Sequence, residues 1–187
     1  MIVIKEKDAV YFASPMKYQD YCTQARIDYT FEENGHIWHL NDEYSTIVMV
    51  DADNKRLTDV LRYSNVFDCE FSKDGMNQII ANIKKFIKGT NCFVADGKLG
   101  FSLCVARGNK AYRVTNYGAV FETAEIECFN ESEERMLAAY EYCKNIPDVQ
   151  KRIETLYNQV GELSNRQYYP IAVINTKDKS YSLLTNK

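Results

Sequence analysis

Several features that would point directly to a function are missing from this sequence of 187 residues. Its longest apolar stretches fall short of the roughly 20 residues that a membrane-spanning helix needs, so we expect no membrane partner. The N-terminus has neither a basic leader nor a small-residue cleavage site, which favours a cytoplasmic protein. Only three prolines occur, and there is no Pro/Gly/Ser-rich linker, internal repeat or low-complexity tract. We therefore predict a single domain over residues 1–187.

An excess of basic charge is also missing. The formal net charge is −3, and the lysines are scattered apart from Lys84, Lys85 and Lys88. A nucleic-acid-binding domain usually carries a basic patch that contacts phosphates, so we expect no nucleic-acid partner. The sequence shows no motif for a cofactor, and we predict none.

Histidine is limited to His36 and His39. They lie three residues apart on a predicted strand, where odd spacing sends side chains to opposite faces, so a shared metal ion is not expected. The stretch 51–54 (DADN) lacks the glycine and the distal glutamate of a calcium loop, and helix capping explains its carboxylates better. We predict no metal site.

Cysteine is present, but no Cys-x-x-Cys pair occurs. Most of the cysteines lie inside apolar runs, where cysteine behaves as a small hydrophobe, so we expect them to be reduced and mostly buried. A single reactive thiol among them is the alternative. The six positions are Cys22, Cys69, Cys92, Cys104, Cys128 and Cys143.

What the chain does contain is an ordinary globular composition with many aromatic residues. Hydrophobic residues make up 45% and charged residues 26%, which is typical of a soluble domain with a substantial core. Tyrosine is amphipathic and suits both aromatic pockets and subunit contacts, of which we favour subunit contacts. The tyrosines concerned are Tyr11, Tyr112, Tyr117, Tyr140, Tyr168 and Tyr169.

Alternating β-branched and aromatic residues predict strands at both ends and in the middle of the chain. Val3–Lys5 and Ala9–Ser14 form a hairpin, so the chain begins in an internal strand of a sheet. Ile27–Glu32 and His36–Leu40 form a second hairpin around the Asn-Gly turn at 34–35, which suits a type I′ turn. The apolar run Ser45–Val50 is a buried strand. Later strands are predicted at Cys92–Ala95, Leu99–Arg107, Ala111–Asn116, Val120–Phe129, Tyr169–Asn175 and Ser180–Leu184.

Helices are predicted in two pairs. The clearest runs over Gly75–Lys88, where apolar residues recur every three or four positions, Asp74 is the candidate N-cap and Gly89 follows the end. A shorter helix precedes it, from Asp53 to about Tyr63. The second pair covers Ser132–Lys144 and Val149–Leu163. Because each helix pair needs a sheet face to cover, we predict an α+β fold, a four-layer αββα sandwich with two mostly antiparallel sheets between helix pairs.

This order of elements resembles the proteasome-like branch of the N-terminal nucleophile (Ntn) hydrolases, which includes 20S proteasome subunits and a related bacterial ATP-dependent peptidase. The stretch IVIKEKDAVYFAS is similar to the opening strand, turn and strand of that family. HIWHLNDEYSTIVMVDADNKRLTDVL is similar to its next strands and helix. FSLCVARGNKAYRV, IECFNESEERMLAAYEYC and YYPIAVINTKDKSYSLL follow the remaining elements. The similarity covers nearly the whole chain and lies in the pattern, not in signature residues.

The resemblance implies a specific requirement at the N-terminus. The family nucleophile is Thr, Ser or Cys at residue one of the mature chain, because its own α-amino group, with a pKa of roughly 7.7–8.0, activates the side chain. Aligning the patterns puts this threonine before Met1, the family's acidic residue near Pro15 with Ser14 before it, and its lysine near His36. We therefore expect a dismantled hydrolase site, with Ser14 and His36 as the remaining candidates.

Cys22 is a further candidate. A cut after Tyr21 would create an N-terminal cysteine, which is chemically the right kind of nucleophile for this superfamily. The residues that follow, TQARIDYTF, do not immediately give the buried strand that such a nucleophile normally leads.

Three hypotheses follow. The first is a proteasome-like domain that lacks the nucleophile and assembles as a homo-oligomer or binds a protein or small-molecule partner. The second is an active amide or peptide hydrolase, processed at Cys22 or using a relocated site. The third is a different α/β fold that only shares the order of elements, and two sheets packed face to face would exclude it.

Overall fold

The computed structural model describes residues 1–20, 26–28, 37–41, 46–51, 65–87, 99–129 and 133–185. Within these ranges the strands are β1 Ile2–Lys5, β2 Val10–Pro15, β3 Lys17–Asp20, β4 Arg26–Asp28, β5 Ile37–Asn41, β6 Thr46–Asp51, β7 Ser102–Arg107, β8 Lys110–Val114, β9 Val120–Glu122, β10 Ile126–Cys128, β11 Arg166–Gln167, β12 Ile171–Asn175 and β13 Tyr181–Leu184. The α-helices are α1 Lys73–Ile87, α2 Glu133–Cys143 and α3 Val149–Ser164, and a 3-10 turn covers Asn65–Phe67.

The strands form two large antiparallel sheets and a small one. Sheet I has the order β10-β1-β2-β12-β13, sheet II the order β5-β6-β7-β8-β9, and sheet III the order β11-β3-β4. In sheet I, Ile2 of β1 pairs with Ala13 of β2 on one side and with Cys128 of β10 on the other. The prediction that the chain begins in an internal strand is therefore confirmed.

Alternation along the strands divides the core into layers. On β1, Ile2 and Ile4 pack against α2 and α3, whereas Met1 and Val3 point toward sheet II. The layer between the two sheets consists of Met1, Val3, Val10, Phe12, Cys104, Ala106, Ala111, Phe129 and Ile174. On the outer face of sheet II, β7 and β8 pack against α1. The sandwich of two face-packed sheets is confirmed, and the predicted helix ending near Tyr63 lies outside the described residues.

Local signals explain where the helices begin and end. In α1, Ile79 and Ile83 are fully buried, and the Ser72 hydroxyl accepts a hydrogen bond from the Gly75 amide at 3.1 Å. The predicted N-cap Asp74 is therefore wrong, because the helix begins two residues earlier than predicted, at Lys73, and Ser72 caps it. The Asp148 carboxylate caps α3 by accepting from the Lys151 amide at 2.9 Å, and Asn165 ends this helix in the left-handed conformation.

The described parts of the predicted hairpin between Ile27–Glu32 and His36–Leu40, residues 27–28 and 37–40, do not pair with each other. In the described residues β4 pairs with β3 in sheet III, while β5 pairs with β6 in sheet II. The Asn-Gly turn itself, like the predicted strand Cys92–Ala95, lies outside the described residues. Across the described ranges no helix is both long and apolar enough to cross a bilayer.

Candidate functional site at the Met1 end of the sandwich

Strand register places Met1 between two neighbours on the face that looks toward sheet II. Continuing the pairing by one residue from Ile2 sets Met1 opposite Ser14 on β2 and opposite Phe129 after β10. The Met1 amino group donates to the Phe129 carbonyl at 3.0 Å, and the Phe129 amide donates to the Met1 carbonyl at 2.9 Å. We call this region, formed by Met1, Ser14 and Phe129, the Met1 end.

The Met1 end is packed as part of the core. The Met1 side chain is only 6% exposed and Phe129 only 2%, and both lie in the layer between the sheets. The Met1 amino group lies within this packing as a buried hydrogen-bond donor to the Phe129 carbonyl. A thioether side chain also offers no nucleophilic hydroxyl or thiol.

Ser14 is the one hydroxyl candidate from the sequence that the structure describes here. It is 2% exposed, and its Oγ lies 3.5 Å from the Pro15 carbonyl, at the limit of a hydrogen bond. Its cross-strand neighbours are Met1 and Ala172, and neither side chain can accept a proton. A serine nucleophile needs a base within hydrogen-bond reach, and the side chains of these two neighbours do not supply one.

The described thiols are poorly suited to catalysis. Cys104 faces sheet I, and complete burial raises the pKa of its thiol far above the usual range. Cys128 faces α2 and α3, and burial raises its pKa to about 12 although the Met1 ammonium opposes the shift. Thiolate is therefore scarce near neutral pH at both positions. The prediction of buried cysteines is confirmed for Cys104, Cys128 and Cys143, while Cys69 is half-buried.

One charged pair crosses between the sheets close to the Met1 end. Arg113 on β8 and Glu127 on β10 form an ion pair at 2.6 Å, with the guanidinium 4.8 Å from the centre of the Phe129 ring. Glu127 also accepts from the Ala124 amide at 3.3 Å. The two charges neutralise each other, and the ion pair connects sheet II to sheet I. Sequence reasoning missed it, since no local signal links two residues on different sheets.

The other site predictions have mixed outcomes. His36 and Cys22 lie outside the described residues, so their roles stay predictions, and His39 lies in β5 opposite Ile47. Three of the tyrosines expected at subunit contacts are instead buried within the chain: Tyr112, Tyr140 and Tyr168. Tyr117 is 68% exposed, so its role in a subunit contact stays a prediction.

Two open surface depressions are lined by residues other than Met1, Ser14 and Phe129. One, of about 300 Å³, lies between the end of α3 and β11, and its lining includes Asn158, Glu162 and Arg166. The other, of about 340 Å³, lies between the start of α3 and the β12–β13 turn, and its lining includes Asp148 and Asp178. In the described ranges no three His, Cys, Asp or Glu side chains come together as a metal site.

Solved structures share this arrangement over the full chain. BPH from Thiobacillus denitrificans, in complex with epoxomicin, superposes with a TM-score of 0.71 at 10% identity, covering 99% of this chain and 98% of that one. A second structure of Thiobacillus denitrificans BPH gives a TM-score of 0.69 at 11% identity, covering 100% of this chain and 98% of that one. HslV from Trypanosoma brucei gives 0.57 at 13% identity, covering 92% and 97%. The chain has the proteasome-like Ntn-hydrolase fold.

The proteasome-like fold excludes the hypothesis of a different fold that merely shares the order of elements. No protein-family model matches the chain, and no curated protein matches it by sequence. At 10–13% identity the likeness concerns the fold, and fold alone does not determine function. The function must therefore be argued from the site.

Proposed function

We propose that this chain is a non-catalytic proteasome-like domain that assembles with copies of itself or binds a protein or small-molecule partner. The observation that carries the proposal is the packing of the Met1 end. There the Met1 side chain fills the layer between the sheets, and its amino group is bound to the Phe129 carbonyl. A family hydrolase needs a reactive hydroxyl or thiol on the residue that carries this amine, and the Met1 side chain has neither.

The alternative of an active hydrolase processed at Cys22 conflicts with the position of β1 and β2. A cut after Tyr21 would separate both strands from the rest of the chain, yet β1 and β2 lie in the middle of sheet I. Their residues Ile2, Ile4, Val10 and Phe12 are fully buried, so loss of the released segment would remove the centre of the core. This conflict favours the unprocessed chain.

The assembly part of the proposal draws on the resemblance and on exposed apolar residues. 20S proteasome subunits, which the sequence resembles, function within a multi-subunit particle. Here several large apolar side chains are exposed on the helical layer, among them Tyr142 at 83% and Leu163 at 65%. Residues of this type are enriched at protein interfaces when they cluster.

The test combines intact mass with reactivity. The purified chain is incubated with epoxomicin and, separately, with an iodoacetamide probe at pH 7.5, and its intact mass and its hydrolysis of a fluorogenic peptide are measured. We expect the full-length mass without an epoxomicin adduct and no hydrolysis above a buffer blank. A mass lacking residues 1–21, or a stoichiometric epoxomicin adduct together with hydrolysis, would overturn the non-catalytic assignment. Native mass spectrometry of the same sample tests assembly, and a strict monomer would remove that part.

A further inference from the structure

The strand β13 forms one edge of sheet I. It pairs with β12, and among the described residues no strand lies on its other side. The Asn175 amide donates to the Ser180 carbonyl at 3.0 Å. Because main-chain groups alternate in direction along an antiparallel strand, those of Ser180, Ser182 and Leu184 point to β12, and those of Leu183 point outward from the edge.

The side chains of this edge are apolar and half-exposed. Tyr181 and Leu183 are each 45% exposed. Their partners on β12 are Ile174 and Ala172, both buried. The segment 180–185 (SYSLLT) contains no charge, proline or glycine. Natural edge strands are usually blunted by such residues, so an unprotected edge indicates pairing with another strand.

The opposite edge of sheet I, β10, shows the protection that β13 lacks. It is three residues long, and its central residue Glu127 is held by Arg113. The preceding Glu125 accepts a hydrogen bond from the Tyr140 hydroxyl of α2 at 2.8 Å. Two copies of β10 would bring like charges together, whereas two copies of β13 would not.

We infer that β13 pairs antiparallel with β13 of a second copy about a two-fold axis at Leu183, which joins two sheets I into one of ten strands. This inference rests on the proposed self-assembly and names one of its contacts. The Leu183 amide of each copy donates to the Leu183 carbonyl of the other. The register keeps odd-numbered residues on one face, so Tyr181 lies opposite Thr185 of the second copy and diagonal to its Leu183.

The chemistry of the edge favours a second copy as the occupant. An uncharged strand meets itself without repulsion although the whole chain carries a net charge of −3. A two-fold pairing also closes on itself and uses up the edge, so it does not propagate into fibres. A pairing this short buries less than the roughly 1,200 Å² of a standard interface, so we expect a weak contact that depends on concentration or acts within a larger assembly.

A cysteine at position 183 tests the register directly. Hydrogen-bonded residues of an antiparallel pair have Cα atoms about 5.5 Å apart, within the range of a disulfide. Under mild oxidation at high protein concentration, we expect Leu183→Cys to form a dimer whose linked peptide joins residue 183 to residue 183. Tyr181→Cys is the matched control, because two such residues would lie about 13 Å apart along the paired strands. The unsubstituted chain measures the background from its native cysteines.

A charge at the same position tests the contact without new covalent chemistry. Leu183→Lys sets two like charges across the two-fold axis, and we expect the dimer dissociation constant from sedimentation to rise at least tenfold. Gln78→Lys, at an exposed polar position of α1, is the matched control and should leave it unchanged, and circular dichroism checks that both variants fold. Absence of the 183–183 link in a protein whose native mass exceeds one chain would overturn the β13 contact and leave the assembly proposal standing. A monomer at every concentration would overturn both.

Discussion

The space between the two sheets is closed differently at its two ends. At the Met1 end, Met1 and Phe129 close it with apolar side chains in the core. At the other end, which we call the turn end, polar bonds connect the sheets: the Thr176 hydroxyl donates to the Gly108 carbonyl, and the Asn109 side chain donates to the Lys7 carbonyl at 3.0 Å. The turn end is joined by hydrogen bonds, whereas the Met1 end combines apolar packing with the adjacent Arg113–Glu127 ion pair.

This difference bears on function because the family resemblance implies a nucleophile near the Met1 end. A catalytic site needs polar groups with access to substrate. In this chain hydrogen bonds join the sheets at the turn end. The buried Arg152 pairs its guanidinium with Glu6 and donates to the Ile146 carbonyl. The contrast supports a structural role for the Met1 end. Three substitutions test it through their effect on the free energy of unfolding.

The largest effect is expected from Phe129→Ala at the Met1 end. Removing a fully packed ring leaves a cavity between the sheets and deletes the contact with Arg113, so the free energy of unfolding should fall by about 3–5 kcal/mol. Phe121→Ala is the matched control, since that ring is 54% exposed and its loss should cost less than about 1 kcal/mol. Urea unfolding measures both. Equal losses would mean that the Met1 end is not packed as described.

An intermediate effect is expected from Thr176→Val at the turn end. Valine keeps the shape but removes the hydroxyl that accepts from the Val10 amide at 2.8 Å and donates to Gly108. The Val10 amide and the Gly108 carbonyl would each lose this hydrogen-bond partner, which should lower the free energy of unfolding by about 2 kcal/mol. Thr155→Val, at an exposed helical position, should change it by less than about 0.5 kcal/mol. A loss no larger than in this control would show that the polar bonds of the turn end do not stabilise the sandwich.

The smallest effect is expected at alkaline pH, where the Cys128 thiol makes the free energy of unfolding depend on pH. Burial raises the pKa of Cys128 to about 12 from 9.0, so the folded chain keeps this proton while the unfolded chain loses it. The stability that this difference contributes is present below pH 9 and falls as the pH rises above it, by about 1 kcal/mol at pH 9.5. Urea midpoints at pH 7.5 and 9.5 should therefore fall less in Cys128→Ala than in the native chain. Identical decreases in the two proteins would contradict a buried thiol at this position.

Much of the fold could be predicted because its signals are local. The three- and four-residue spacing in α1 and the alternation in β1 and β2 show which faces are buried before any partner is known. The strands β3 and β11 were missed because KYQD and RQ are short and polar, with no alternation to detect. The Asn-Gly signal suggested a hairpin, yet β4 and β5 joined different sheets, because partner choice depends on packing across the whole domain.

The sequence by itself determined most of the helices and long strands and the buried start of the chain, because hydrophobic periodicity depends on neighbouring residues. It also showed that neither Met1 nor Ile2 carries a nucleophilic side chain. Only the tertiary structure decided that Met1 lies between Ser14 and Phe129, that Arg113 meets Glu127 across the sheets, and that β13 lies at the edge of sheet I among the described strands. Those features depend on register and strand order between segments far apart in the chain, which only the packed domain specifies.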